Sequence, residues 1–174
     1  LIGGSTAFNL LLWLVMFSNL ASLYWLGRQL GISRVACLSG TVVFGWNSLL
    51  LSYGFASNIS DLIHLWPYAL SLGFLITGLK ESQWIYGVYA GLCIGLGFLS
   101  CPYNFVLFIP ALVLLLPWVF WQYGKESWRI LLASACMGGV ICAIYAWHLY
   151  AIMNAETSLV HTEDVQDVRH SYPF

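Results

Sequence analysis

The sequence predicts an all-α, polytopic transmembrane helix bundle of about six spans, and three observations carry that expectation. Hydrophobic residues fill 60% of the 174 positions and charged residues only 7%, whereas a water-facing domain carries about 25% charged residues. Six apolar stretches approach the roughly 20 residues that cross a hydrocarbon core. The few basic residues fall in alternate connections, as they do in chains that cross a bilayer repeatedly.

The first span is expected over residues 6–26 and ends at Gly27-Arg28. The second, 35–53, follows a short polar turn, Gly31-Ile32-Ser33-Arg34. A polar patch from Ser57 to Asp61 separates it from the third, 62–79, which Lys80-Glu81-Ser82-Gln83 closes. The fourth, 84–100, breaks at Cys101-Pro102-Tyr103-Asn104, and the fifth, 105–121, runs into Gln122-Tyr123-Gly124-Lys125-Glu126. The sixth covers 128–153. Residues 1–153 therefore form the expected bundle, and 154–174 the start of an extracytoplasmic loop. A chain that opens on Leu1 and stops at Phe174 in a polar stretch reads as an internal segment of a longer protein, with further packing partners in the remainder.

Alternating spans place the connections after the first, third and fifth on one side. These hold Arg28, Arg34, Lys80, Lys125 and Arg129, leaving Arg169 alone on the other. The positive-inside bias makes the first side cytoplasmic and both chain ends external. Trp25, Trp66, Trp84, Trp121 and Trp128 fall near span ends, where an indole prefers the headgroup layer, whereas Trp13 and Trp46 fall deeper and are expected to pack.

Gly87, Gly91 and Gly95 repeat at i, i+4 and i+8 on one face of the fourth span. Such a ridge lets another helix backbone approach closely. Pro110 and Pro117 predict kinks in the fifth span. Cys37, Cys93, Cys101, Cys136 and Cys142 show no metal-ligand spacing and read as small packing residues. No cofactor is evident, although the sequence leaves a divalent metal open. A net charge of −1 provides no basic field for nucleic acid.

Polar groups within this apolar chain are the candidate site. Asp61 and His64, three residues apart at the outer start of the third span, share a helical face and are placed to hold a polar substrate. The plainer reading makes Asp61 a helix cap and lets His64 reach the interface. Tyr103 and Asn104, in the outer connection between spans four and five, offer hydrogen bonds to a sugar or phosphate, or merely end a helix. His148 lies inside the sixth span, where an ionisable group is a functional candidate or a partner for a carbonyl across helices. Asn58-Ile59-Ser60 matches a glycosylation acceptor but hugs the membrane. Thr162-Glu163-Asp164 has the form of a helix start, with Val165 and Val168 on one face.

One stretch is more specific. Leu26-Gly27-Arg28-Gln29-Leu30-Gly31-Ile32-Ser33-Arg34-Val35-Ala36, running into Gly40-Thr41-Val42-Val43-Phe44-Gly45, resembles an inner-loop pattern of bacterial multi-spanning GT-C glycosyltransferase-like proteins. These are relatives of the protein O-mannosyltransferases and lipid-A aminoarabinose transferases. His64-Leu65-Trp66-Pro67-Tyr68-Ala69-Leu70 is similar to their W-x-P-L-type start of a span, with Tyr68 where Leu is frequent. Ala90-Gly91-Leu92, Gly95-Leu96 and Leu99-Ser100-Cys101-Pro102-Tyr103 resemble their next Gly-rich span. Val168-Arg169-His170-Ser171-Tyr172 falls where they begin a larger external loop.

The resemblance implies inverting transfer of a sugar from a polyprenyl-phosphate carrier on the extracytoplasmic face of a bacterial inner membrane. It also implies a general-base carboxylate in a first external loop, expected upstream of this segment, so the catalytic residues are unknown here. Asp61, His64, Tyr103 and Asn104 are then substrate-binding candidates. The implied partners are the bilayer and a polyprenyl-phosphate-sugar donor. Two other classes compete. A transporter or flippase predicts ionisable residues facing the bundle middle and internal repeat symmetry. A structural subunit of a membrane complex predicts no polar groove at the outer surface.

Overall fold

A computed structural model describes residues 4–45, 64–124 and 127–160, and every regular element among them is an α-helix. These are α1 (Gly4–Gln29), α2 (Arg34–Gly45), α3 (Trp66–Glu81), α4 (Trp84–Ser100), α5 (Pro102–Tyr123) and α6 (Ser127–Val160). The polar patch before Asp61, the glycosylation acceptor, Trp46, Lys125 and the 162–174 tail lie outside the described residues.

The connections follow from local chemistry. After α1, Gly31 adopts φ +81°. The Ile32 amide reaches back to the Gly27 carbonyl at 3.0 Å and the Gly31 amide to Arg28 at 3.1 Å, which closes the helix as a Schellman motif. Ser33 then caps α2, its Oγ accepting from the Ala36 amide at 3.3 Å. Between α4 and α5, Cys101 is extended (φ −158°, ψ 100°), the conformation that a following proline favours, and Pro102 opens α5 without needing an amide partner. Gly124 ends α5 at φ 67°, ψ −158°, a region essentially reserved for glycine.

Contacts along the helices give their directions. From α1 to α3, Asn19 meets Trp66, Trp25 lies on Gly73, and the Lys80 ammonium donates to the Gln29 carbonyl, so the two helices run parallel. Helix α4 is antiparallel to α3, with Tyr86 against Gly78 and Gly97 against the Tyr68 ring. Helices α4 and α6 are parallel, pairing Gly87 with Ile130, Gly91 with Ser134 and Gly95 with Ile141. Alternate helices thus point the same way. Arg28, Arg34, Lys80 and Arg129 gather at one end, called the basic end, and Cys101 lies at the other.

The glycine ridge is the tightest seam. A Cβ on Gly91 would stand 2.5 Å from the Ser134 carbonyl oxygen and 3.0 Å from the Gly138 amide nitrogen, and one on Gly87 would collide with the Ile130 carbonyl. The expected close backbone approach therefore occurs, and its partner is α6. Leu75, Leu79, Ala90, Val119 and Ile130 form the main core beside it, joining α3, α4, α5 and α6.

Span lengths depart from expectation. Among the described residues two helices are long and apolar enough to cross a membrane, within Thr6–Gln29 and Ser127–Asn154; a third would be α5 if its two halves, bent by 44° between Pro110 and Leu112, form one span. That bend is where a proline kink was expected. Helices α3 and α4, of 16 and 17 residues, are about 24–26 Å long at 1.5 Å per residue, short of the roughly 30 Å hydrocarbon core; the second expected span lies outside the described residues beyond Gly45. Helix α6 is longer than expected. It continues through Asn154 and Glu156 to Val160, although its membrane-length apolar part ends at Asn154.

The surface is inverted relative to a water-soluble fold. Leu114 (80% exposed), Trp121 (87%), Leu107 (74%) and Trp147 (73%) point outward, whereas Asn19, Ser71, Thr77, Asn104, Ser127 and Ser134 are buried. Interior hydroxyls use backbone acceptors, as in Ser71 to the Tyr68 carbonyl at 2.8 Å and Thr77 to Gly73 at 2.9 Å, which is how an apolar medium is tolerated. The tryptophans divide differently from the sequence expectation. Trp84, Trp121 and Trp128 are exposed at the basic end. Trp25 packs on Phe74 at 4.9 Å and Trp66 on Leu12 and Val15. Trp13, expected inside, is 51% exposed. Cys37, Cys93 and Cys101 are buried as expected, Cys142 is half-buried, and Cys136 is exposed.

Candidate functional site

Several buried polar groups, Asn19, Ser22 and Tyr68 among them, lie at or near the start of α3. Pro67 fixes that start, since proline suits the first helical turn and disfavours continuation of the helix before it. His64 therefore precedes α3, and Asp61, expected on one helical face with it, lies outside the described residues. No neighbouring side chain caps α3: Leu65 occupies the cap position and supplies no side-chain bond.

The cap comes from 46 residues upstream. The Oδ1 of Asn19, buried in the middle of α1, accepts the Leu65 amide at 3.2 Å and the Trp66 amide at 2.8 Å. One carboxamide oxygen thus satisfies two of the orphan donors at a helix N-terminus and ties α1 to α3. Ser22, one turn along, donates to the Asn19 carbonyl at 3.0 Å.

One turn into α3, Tyr68 is buried against the bend between α4 and α5. Its hydroxyl donates to the Cys101 carbonyl at 3.3 Å, and its ring meets Phe108 at 4.8 Å between centroids and rests on Gly97. The Tyr68–Phe108 contact joins α3 to α5 at this point. Asn104 lies one turn before Phe108 in α5, and His64 precedes α3 at the same, Cys101 end. His64 is half-buried and Asn104 only 6% exposed.

Tyr103 separates from this group. It neighbours Asn104 in sequence, but successive helical residues point about 100° apart, and Tyr103 is 76% exposed. His148 is also exposed, beyond the point where Tyr145 of α6 meets Phe98 of α4, and bonds to no described residue. Its expected alternative role, bonding a carbonyl across helices, is not what the described residues show.

Of the four sequence candidates, Asp61 lies outside the described residues, Asn104 is buried, His64 is half-buried and Tyr103 turns outward. The fold adds Asn19 and Tyr68, which sequence reasoning passed over. For Asn19 the signal was present: a carboxamide within a 26-residue apolar helix needs a partner inside the protein. Chemically the described residues of this region offer amide, imidazole and phenol hydrogen bonds. Among the described residues no three His, Cys, Asp or Glu side chains stand close enough to hold a metal ion. Compared with protein-family models, curated proteins and solved structures, the chain matches none.

Proposed function

We propose that the chain is a six-span segment of a polytopic inner-membrane protein, with both ends extracytoplasmic, and that it serves a GT-C-like glycosyltransferase acting on a polyprenyl-phosphate-linked sugar. The observation that carries the membrane part is the inversion of the surface, with large apolar side chains outside and hydroxyl and amide groups inside. Alternating helix directions, with Arg28, Arg34, Lys80 and Arg129 at one end, support six crossings. In this reading α3 and α4 cross as short helices where the bilayer is locally thinned.

The transferase part rests on the sequence resemblance. The polar group at the start of α3 is compatible with it, because His64 and Asn104 provide imidazole and amide hydrogen-bonding groups for sugar hydroxyls or a lipid phosphate near the Cys101 end. A second reading, a structural subunit, is favoured by the outer half of α6, whose Ile144, Trp147 and Tyr150 are exposed on an apolar helix suited to a partner helix.

Transfer of a labelled sugar from a polyprenyl-phosphate donor, measured in membranes containing the intact protein, tests the enzyme reading. Turnover that falls in His64→Ala and Asn104→Ala, with normal membrane insertion, is the expected result. Transfer by the parent protein that is unchanged in both variants removes these residues from the site. No transfer with any donor favours the structural reading.

A further inference from the structure

Between α5 and α6 runs an apolar groove of about 480 Å³. Leu112 and Phe120 belong to its α5 wall, Leu132 and Ala135 to its α6 wall, and Ile94 of α4 lines it between them. Phe120, Leu132 and Trp128, which also line it, are exposed, and Leu114 and Trp121 of α5 point outward. In the membrane reading, the medium at the groove is therefore lipid. Water does not compete for it, because a cavity lined by apolar side chains stays dry.

One lining residue breaks the apolar pattern. Ser134 lines the groove and is only 4% exposed, and among the described residues no hydrogen bond engages its hydroxyl. The interior hydroxyls of Ser71 and Thr77 behave otherwise, each donating to a carbonyl of its own helix. A hydroxyl without a partner in an apolar medium is costly, so what fills the groove should bring an acceptor to Ser134.

Depth narrows the choice of acceptor. The apolar span of α6, Ser127–Asn154, has 28 residues and is about 42 Å long. Centred on a hydrocarbon core of roughly 30 Å, it overhangs by about 6 Å at each end. Ser134, seven residues on from Ser127, lies about 10 Å along the helix, just inside the core. The ester carbonyls of a glycerolipid, where its chains begin, sit close to that level, and a carbonyl oxygen accepts from a serine hydroxyl.

We infer that the groove binds one chain of an ester-linked glycerolipid, laid between α5 and α6 with its ester carbonyl accepting from the Ser134 hydroxyl. The inference rests on the membrane reading and not on the transferase.

The intact protein is placed in nanodiscs of equimolar diester and diether phosphatidylcholine of equal chain length, and the lipids retained after detergent release are counted by native mass spectrometry. The diether keeps the headgroup and chains but has no carbonyl. The diester is expected to be enriched about fivefold, the worth of one hydrogen bond of average net strength. Ser134→Ala should abolish that preference while lipid of both kinds is still retained. Ala135→Phe, which fills the groove, should lower retention of both. Ser100→Ala, whose hydroxyl already donates to the Leu96 carbonyl, should keep the preference. Equal retention of the two lipids by the parent protein, a Ser134→Ala variant that keeps the preference, or an Ala135→Phe variant that retains as much lipid as the parent overturns the proposal. So does a dimer that retains no lipid and that Ala135→Phe dissociates, which would make the groove a seat for a second copy. Failure of the membrane reading is seen separately, as protein that carbonate washing strips from membranes and that never enters the nanodisc.

Discussion

Replacing Gly91 by alanine tests the seam on which the bundle depends. The added Cβ would lie 2.5 Å from the Ser134 carbonyl oxygen, 2.8 Å from the Met137 Cβ and 3.0 Å from the Gly138 nitrogen, where ordinary contact starts at 3.4 Å. The shortfall of 3.4 − 2.5 = 0.9 Å falls on a backbone atom, so no rotamer change relieves it. Helix α6 must withdraw, opening contacts along the seam. Overpacking of this kind costs about 1–3 kcal/mol, and a rigid backbone partner puts Gly91→Ala at about 3 kcal/mol. The better helix propensity of alanine returns up to about 1 kcal/mol. A net loss of about 2 kcal/mol lowers the folded-to-unfolded ratio about 30-fold. Reversible unfolding in mixed detergent–SDS micelles, followed by circular dichroism, measures it. Gly139→Ala is the internal control, since nothing lies within 4 Å of a Cβ there, and it should be neutral or slightly stabilising. Equal stability of the two variants would refute the close α4–α6 approach.

Two further substitutions probe the start of α3. Asn19→Ala removes the acceptor shared by the Leu65 and Trp66 amides and should cost about 1–3 kcal/mol, with faster hydrogen exchange at those two amides; Asn9→Ala, on an exposed face of α1, should change neither. Tyr68→Phe keeps the ring against Phe108 and Gly97 but loses the 3.3 Å bond to Cys101, and should cost about 0.5–1.5 kcal/mol in the same unfolding assay; a loss near that of Tyr68→Ala, about 3–5 kcal/mol, would show that the hydroxyl carries more than this one bond.

What the sequence revealed and what it concealed have physical causes. Helix positions were legible because apolar length, Pro102, Gly31 and Ser33 are local signals. The Gly87-Gly91-Gly95 ridge was legible as a packing face because its spacing matches the helical repeat. Its partner was not, since Gly138 carries no mark that it meets Gly91 rather than lipid. The start of α3 was misplaced because hydropathy extends the apolar stretch back to Leu62, whereas Pro67 and a cap donated from Asn19 decide the boundary. That cap is a tertiary contact across 46 positions, beyond any window of local sequence. Tyr103 and Asn104 looked equivalent as a polar pair, and only the helical turn begun by Pro102 sends one outward and the other inward. Trp25 resembled an interfacial anchor by position, yet Gly73 makes room for its ring inside the bundle.

The central claim is that the helices cross a membrane alternately, including α4 with only 17 residues. Single cysteines at Ser33, Ser82 and Tyr103, in a background with the five native cysteines replaced, can be challenged with a membrane-impermeant maleimide in sealed, oriented vesicles. The account predicts that Ser33→Cys and Ser82→Cys react from the same side and Tyr103→Cys from the opposite side. Labelling of Ser82→Cys and Tyr103→Cys from one side would mean that α4 does not cross, and would contradict it.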